Sequence, residues 1–270
     1  MAAAPPSPTP LERIAANRKR VGDLREQVRL RFLEGADGIS LLATLSEGAD
    51  KLIVDLLDEA LAPIDPELRA VVQKRLVVLA VGGSGRGEMC PYSDVDLLFL
   101  YQPDPRTNET IQQVTSQVVR DLWDAWVKLG HSVRTFNDAL AMAKTDLQFA
   151  TSLVEIRPLW GNSELGELLH RKFYKQVIRL RQALFIDECV ASRQTEFQSG
   201  EATVQQLQPD VKKSAGGLRD IQLLKWIGYA RRQTADLGML RRLGALSREE
   251  HHDLLQALEF LSRVRVDLHF

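Results

Sequence analysis

The fold of this chain is decided by residues 76–101, LVVLAVGGSGRGEMCPYSDVDLLFLY. The run 76–81 is short, wholly apolar and half valine, and glycines follow it, so it predicts a buried strand. A second apolar run, 95–101, predicts the next strand. A glycine-rich loop and two aspartates lie between them, so carboxylate oxygens are placed beside exposed backbone amides. This order predicts a site for metal-bound phosphates.

The loop between the two predicted strands can bind anions. Four of the six positions 82–87 are glycine: Gly82, Gly83, Gly85 and Gly87. Without Cβ atoms they allow unusual φ values and close approach of a ligand, so successive N–H groups can line an anion-binding hollow. Ser84 adds a hydroxyl and Arg86 a fixed positive charge. The loop is neither a P-loop, since GxxxxGK[ST] is absent, nor a Rossmann fingerprint, whose spacing it lacks.

Asp94 and Asp96 stand at the mouth of the second strand. Residues i and i+2 of a strand point to one face about 6.6 Å apart, so both carboxylates can converge on one metal ion or on a pair of them. Carboxylates are hard ligands and no His/Cys cluster accompanies them, which favours Mg²⁺, with Mn²⁺ as a substitute. Taken singly, a glycine turn also fits a plain hairpin and an Asp pair a solvated edge. Their combination predicts metal-ligating, catalytic aspartates, Asp96 being the more sensitive to substitution.

These residues resemble a known signature. Gly82-Gly83, residues 86–88 (RGE) and residues 93–97 (SDVDL) are similar to the motif of the polymerase-β-type nucleotidyltransferase superfamily. Three further stretches resemble, within that superfamily, the bacterial protein-PII uridylyltransferases: GHSVRT (130–135), EIRPLWG (155–161) and PDVKKSAGGLRDIQ (209–222). The similarity covers most of the chain after about Ala36.

The resemblance implies an α+β fold, with a small mixed sheet of the polymerase-β nucleotidyltransferase type and helical flanking regions. It implies transfer of UMP from UTP to a tyrosine of PII, a small trimeric signalling protein of nitrogen regulation, with release of pyrophosphate. Asp94 and Asp96 would hold the ions. The implied nucleotide-binding residues are Gly82, Gly83, Ser84, Arg86, Ser93, Arg134, Lys212, Lys213 and Arg219. Another nucleotide or acceptor, and a non-catalytic binding module that keeps the fold, remain open alternatives.

The sequence departs from the superfamily pattern in two places. Many members have serine directly after the first loop glycine, where this chain has Gly83. Many also carry a third carboxylate on a later strand, and the predicted third strand, residues 131–136, contains none. Asp138 and Glu155 are candidates by their nearness in sequence, and the general base is unassigned. The loop 212–220 has two readings: a flexible helix entry with solvated cations, or a helix start that faces the triphosphate.

Composition favours a cytoplasmic enzyme. The 270 residues carry a formal net charge of −1, which argues against a dedicated nucleic-acid binder. Cys90 and Cys189 lie far apart without metal-ligand spacing, as free thiols of a reducing compartment do. No segment approaches the roughly 20 apolar residues of a membrane span. We therefore expect neither a nucleic-acid nor a membrane partner.

Helical patterns dominate outside the central motif. The predicted organisation is a disordered tail (1–10), a helical region (11–65), a nucleotidyltransferase domain (66–162) and a second helical region (163–270). The predicted elements are helices from Pro10 to about Leu33, over 40–61 and over 109–129, a strand over 131–136, and helix from about Asn137 onward except for a polar break over 199–214. This order predicts a β, β, α, β core.

Two further groups of residues are predicted to be structural. Trp123, Trp126 and Trp226 are interpreted as core or interface residues rather than base-stacking ones. His251-His252-Asp253 could be mistaken for a metal motif, but it lies in a helix predicted from Ser247 onward, so we assign it to a helix surface. The helical pattern runs to Phe270, which suggests a fragment or a stand-alone transferase core. We expect neither uridylyl-removing activity nor glutamine sensing from this chain alone.

Overall fold

The computed structural model describes residues 9–198 and 210–270. The expected tail (1–10) and polar break (199–214) therefore lie largely outside the described residues. The α+β prediction is confirmed, since helices surround a four-stranded mixed sheet. Within the described ranges, no helix combines the length and the apolar character needed to cross a membrane.

The elements, in chain order, are as follows. The helices are α1 Pro10–Leu33, α2 Gly38–Leu61, α3 Pro66–Arg75, α4 Gly82–Gly85, α5 Asn108–Asp124, α6 Phe136–Met142, α7 Leu147–Ser152, α8 Ser163–Phe173, α9 Gln182–Gln198, α10 Leu218–Arg232, α11 Leu237–Arg242 and α12 Arg248–His269. The strands are β1 Leu76–Ala80, β2 Val95–Tyr101, β3 Leu129–Thr135 and β4 Arg157–Gly161. A π-helical turn, Tyr174–Ile178, and a 3₁₀ turn, Arg179–Arg181, lead into α9.

The first two helices form a platform under the sheet. Helix α1 begins with the predicted capping box, in which Thr9 accepts from the Glu12 N–H and the Glu12 carboxylate accepts from the Thr9 N–H. Helix α2 buries a continuous apolar face that includes Leu41, Leu45 and Leu56. Gly38, the first residue of α2, lies directly against α12. A Cβ at Gly38 would lie 2.4 Å from the backbone nitrogen of Arg263, so a larger residue would not fit there. The platform of α1 and α2 thus packs against α12, the last helix of the described chain.

The sheet has the strand order β3-β2-β1-β4. Strand β1 is antiparallel to both of its neighbours, whereas β2 and β3 are parallel. Val95, Leu97 and Phe99 pack towards α2 and α5, in one apolar core. Leu98 and Leu100 point to the opposite face, in a second core with α6, α8, α9 and α10. Because side chains alternate along a strand, the Asp96 side chain projects on this second face.

The prediction of helix from Asn137 onward is wrong at one element, because 157–161 form strand β4. This strand is short, contains Pro158 and lies at the sheet edge beside β1, with an irregularity in the pairing between Val78 and Leu79. Proline is compatible with an edge strand, where one row of N–H groups needs no ladder partner. Strand β4 forms by pairing with β1, and its own sequence lacks the alternation of apolar and polar residues that would predict a strand. The predicted β, β, α, β core is thus extended by a fourth strand.

The helix predicted over 109–129 ends earlier, at Asp124, and strand β3 begins at Leu129 rather than 131. The chain reverses at Trp126, whose φ is +61°. The Val95 N–H then donates to the Lys128 carbonyl (2.8 Å). Residues near 128 and 129 therefore pair with β2, although their apolar spacing also suits a helix. Trp123 and Trp126 are 53% and 65% exposed, so neither is a core residue. The predicted strand end at Phe136 is instead the start of α6.

Candidate active site

A cavity of about 620 Å³ opens between the glycine turn, the start of β2 and the helices of the second layer. The residues that line it from the central motif are Gly82, Gly83, Arg86, Glu88, Met89, Ser93, Asp94 and Asp96. Those from the later helices and loops are Leu147, Gln148, Thr151, Ser152, Cys189, Ser192, Arg193, Glu196, Lys212, Lys213, Arg219, Gln222, Leu223, Trp226 and Arg265. The predicted aspartates and the predicted cations therefore face one cavity.

The predicted glycine loop folds into one helical turn, α4, that fixes the position of Asp96. The Ser84 hydroxyl accepts from the Asp96 N–H (2.9 Å), and the Val81 N–H donates to the Asp96 carbonyl (3.0 Å). Gly82 has a φ of +55°, a conformation that glycine adopts readily. A Cβ at Gly82 would lie 3.5 Å from Asp96 Oδ2, so the turn and the carboxylate are in close contact.

Asp94 and Asp96 form a negatively charged pair at the cavity wall. Burial raises the pKa of the Asp96 carboxyl, and the nearby charge of Asp94 raises it further, whereas Lys212 and Arg86 oppose the shift. Neither aspartate has an ion pair with another described residue. Two neighbouring carboxylates that are not engaged in ion pairs with described residues are a donor set that suits Mg²⁺ or Mn²⁺. No group of three or more His, Cys, Asp or Glu suited to a metal occurs among the described residues.

Cations from several elements gather at the same cavity. Burial lowers the pKa of Lys212, and the neighbouring charges of Arg265, Arg219 and Arg86 lower it further, whereas Asp96 opposes the shift. Among the described residues that line the cavity, six are lysines or arginines and four are aspartates or glutamates, so positive charge is in excess. Such a wall favours a polyanionic ligand.

Hydrogen bonds hold the loop that carries Lys212 and Lys213. The Asp210 carboxylate accepts from the N–H groups of both lysines, each at 2.9 Å. The buried Arg193 donates to the carbonyls of Lys213 (2.8 Å) and Ser214 (3.1 Å) and pairs with Asp220 (2.6 Å). Lys212, Lys213 and Arg219 line the cavity, and whether they face a triphosphate there stays a prediction.

A buried ion cluster connects the glycine turn to α10. Arg86 pairs with Glu88 (2.6 Å) and lies 3.8 Å from Glu155, and Lys225 of α10 lies 3.1 Å from Glu155 and 3.8 Å from Glu88. Burial raises the pKa of Glu155, and the charges of Lys225 and Arg86 oppose this. The cluster therefore connects Arg86 and Glu88, beside the glycine turn, with Lys225 of α10.

Replacing Lys225 with methionine is expected to lower the free energy of unfolding by about 1–3 kcal/mol, because Glu155 and Glu88 then remain buried with Arg86 as their single cation in the cluster. The matched control is Lys19→Met in α1, which removes an exposed i,i+4 pair with Asp23 and should change stability little. Urea unfolding followed by circular dichroism measures both. Equal stability of the two variants would contradict a structural role for the cluster.

The structure brings together most of the predicted site residues but not all. Asp94, Asp96, Gly82, Gly83 and Ser93 line the cavity, as do Arg86, Lys212, Lys213 and Arg219. Ser84 does not line it, since its side chain is buried and its hydroxyl holds the Asp96 backbone. Arg134 also lies away from it: it pairs with Leu100 in the ladder, four residues beyond the partner of Asp96, and donates to Ser132. Whether the cavity residues bind nucleotide stays a prediction.

The candidate third carboxylates, Asp138 and Glu155, do not line the cavity. Asp138 accepts from the Thr135 hydroxyl at the far end of β3, and Glu155 belongs to the buried ion cluster. The further carboxylates at the cavity wall are Glu88 and Glu196, and both are paired with arginines.

Sequence reasoning did not find several cavity residues. Arg265 lies in the last turns of α12, where only helical periodicity was visible, and no local signal marks it as a site residue. Trp226, predicted to be a core or interface residue, is half-buried, packs against the second core and also lines the cavity with Leu223. His251-His252-Asp253 lies on α12, as predicted, and does not line this cavity.

A strand, a glycine turn and an Asp-x-Asp strand bring two carboxylates and several cations to one cavity, the arrangement expected from the resemblance to the polymerase-β-type nucleotidyltransferases. Residues 185–270 match the family model described as GlnD PII-uridylyltransferase. Over most of its own length the chain is homologous to bifunctional uridylyltransferase/uridylyl-removing enzymes, which confirms the resemblance found in the sequence.

Three of these relatives show the extent of the match. The enzyme of Erythrobacter litoralis (strain HTCC2594) is 37% identical over 220 residues, or 82% of this chain and 24% of the relative. That of Rhodospirillum rubrum is 35% identical over 261 residues, and that of Azospirillum brasilense 33% over 259, each covering 95% of this chain and 27% of the relative. The chain thus spans about a quarter of the length of the curated relatives it matches.

Proposed function

We propose that this chain transfers UMP from UTP to a tyrosine hydroxyl of the PII signalling protein and releases pyrophosphate, with Mg²⁺ or Mn²⁺ bound by Asp94 and Asp96. The observation that carries the proposal is that one cavity is lined both by two carboxylates that form no ion pair with another described residue and by a cluster of cations. Nucleotide and acceptor are proposed from the names of the relatives, which are uridylyltransferases, and from the family model, which names PII.

Each wall of the cavity has a separate task in this reaction. Lys212 and Arg219 would bind the phosphates, and the glycine turn lets their oxygens approach the backbone at Gly82 and Gly83. A divalent cation, when bound, would neutralise phosphate charge and favour the deprotonated tyrosine, whose ordinary pKa is about 10. The tyrosine oxygen forms a bond to the α-phosphorus while the bond to the bridging oxygen breaks, and the phenolic proton passes to water. Pyrophosphate carries the electron pair of the broken bond.

The proposal is tested by incubating the chain with PII, Mg²⁺ and each of the four α-labelled nucleoside triphosphates in turn. We expect label on PII from UTP at least about tenfold above that from ATP, GTP or CTP, and none on a PII variant whose target tyrosine is phenylalanine. Label from another nucleotide would favour a transferase with a different donor. Nucleotide binding in calorimetry without any label transfer to PII would contradict the acceptor assignment.

A further inference from the structure

The outer edge of strand β3 has backbone groups without partners. The Val95 N–H donates to the Lys128 carbonyl, and the register continues through Leu97 opposite His131 and Phe99 opposite Val133. In a parallel ladder, alternate residues bond to the neighbouring strand, so the N–H and C=O groups of His131 and Val133 point away from β2. Neither residue's main chain makes another hydrogen bond within the part of the chain that the structure describes. Natural proteins rarely leave such an edge uncovered.

This edge begins at the candidate metal site. Asp96 is the ladder partner of Gly130, the residue directly before His131. An extended segment added to the edge would lie two strand spacings, about 9.6 Å, from β2. Its side chains would alternate between the two faces of the sheet. Val133 is the ladder partner of Phe99, so it lies on the face of the sheet opposite to that of the Asp96 carboxylate. Side chains of the added segment would therefore alternate between the face of Val133 and the face of Asp96.

Exposed aromatic side chains flank the same end of the strand. We call Tyr92, Trp123 and Trp126 the aromatic rim. They are 50%, 53% and 65% exposed, and the edge of the Trp123 ring contacts the His131 ring, with 5.9 Å between centroids. Arg25 connects Tyr92 to the rest of the rim, because it lies over the Tyr92 ring and donates to the Trp126 carbonyl (3.4 Å). Tyrosine and tryptophan are the side chains most enriched at the energetic centres of protein interfaces.

Contacts from α1 hold the rim in place. Arg18 stacks 4.5 Å from the Trp126 ring centroid and donates to the Asp124 carbonyl (2.6 Å). Arg25 lies 4.6 Å from the Tyr92 ring centroid and donates to the Pro91 carbonyl (2.7 Å). Trp126 keeps a φ of +61°, which L side chains rarely adopt. A large apolar ring held exposed by a rare backbone conformation points to a binding role rather than to packing.

We propose that the β3 edge and the aromatic rim bind an extended segment of the acceptor protein by β-strand addition, so that its target hydroxyl reaches Asp94 and Asp96. This inference rests on the proposed function, because it needs a protein acceptor. Main-chain hydrogen bonds to His131 and Val133 supply affinity, and the rim binds apolar side chains at odd spacings from the modified residue. The surface adds acceptor recognition to a cavity that binds nucleotide.

The test compares Val133→Pro with Val133→Thr, using PII as the acceptor. Proline at 133 removes the outward donor and leaves the β2–β3 ladder intact, whereas threonine keeps the donor and the side-chain shape. We expect Val133→Pro to raise the KM for PII by about tenfold, the effect of one hydrogen bond at an interface, with UTP affinity within twofold of wild type. Threonine should leave both values near those of the wild type. Equal KM values for the two variants would overturn the proposal while leaving the transfer reaction standing.

Hydrogen exchange on the wild-type chain provides a measurement that does not depend on how a variant folds. We expect the amides of His131 and Val133 to become protected when PII is added with a non-hydrolysable UTP analogue. Unchanged exchange, with transfer to PII intact, would overturn the proposal. Protection that rises with the concentration of the chain alone would assign the edge to a second copy of this chain instead. If the chain binds UTP and never labels PII, the acceptor assignment and this surface fail together.

Discussion

Asp96→Asn is expected to reduce nucleotidyl transfer by at least about 10³-fold, because a metal ion contributes several kcal/mol of transition-state stabilisation and each 1.36 kcal/mol is a factor of ten. The substitution keeps the shape of the side chain and removes the charge that a divalent cation needs. Steady-state transfer of labelled UMP measures the loss. Asp253→Asn, at an exposed position of α12, is the matched control and should retain full activity.

The same substitution should stabilise the metal-free chain. Burial and the charge of Asp94 raise the pKa of Asp96, so its ionised form is less favourable in the folded chain than in the unfolded one. Asparagine removes this cost at neutral pH, and we expect a higher melting temperature without metal. Addition of Mg²⁺ or Mn²⁺ should raise the melting temperature of the wild type and not that of Asp96→Asn. A metal-induced shift of equal size in both would contradict the assignment of Asp96 as a ligand.

Gly130→Ala is expected to lower the transfer rate by about 10²-fold, since a displacement of about 1 Å in a reacting group can have that effect. Gly130 lies beside Asp96 in the parallel ladder, and a Cβ there would lie 2.4 Å from Asp96 Oδ1. Real Cβ atoms do not approach an oxygen so closely, so the carboxylate must move away from its position against the glycine turn. Transfer kinetics with labelled UTP, together with metal titration, measure the change.

The matched control for Gly130→Ala is Gly22→Ala. Gly22 lies at an exposed position within α1, where a Cβ would meet no atom within 4 Å. Alanine is favoured over glycine inside a helix by roughly 0.5–1 kcal/mol, so this variant should be slightly more stable and fully active. Retention of the wild-type rate and metal affinity by Gly130→Ala would show that the carboxylate position is not fixed by β3.

The residue order 76–101 was sufficient to predict the first two strands and the position of Asp94 and Asp96 at the start of the second. Apolar runs bounded by glycine report burial directly, and the i, i+2 spacing of Asp94 and Asp96 is a local property of a strand. The capping box at Thr9 and the helical setting of His251 were equally local. Such features can be predicted from the sequence, because they depend only on residues that are close together along the chain.

Tertiary pairing decided what the sequence could not show. Strand β4 forms because it pairs with β1. Helix α5 ends before Trp126, and the Val95 N–H then donates to the Lys128 carbonyl, where β3 begins to pair with β2. Ser84, predicted to contact phosphate, uses its hydroxyl to hold Asp96, since the two residues meet only when α4 packs on β2.

The second wall of the cavity was also decided by the tertiary structure. Arg265 and Trp226 reach it from α12 and α10, which are separated from the aspartates by more than a hundred residues. The sequence by itself thus determined that a glycine turn and two aspartates lie together at the start of β2. Only the tertiary structure decided which cations face those atoms and which edge is left open beside them, because both depend on contacts between residues far apart along the chain.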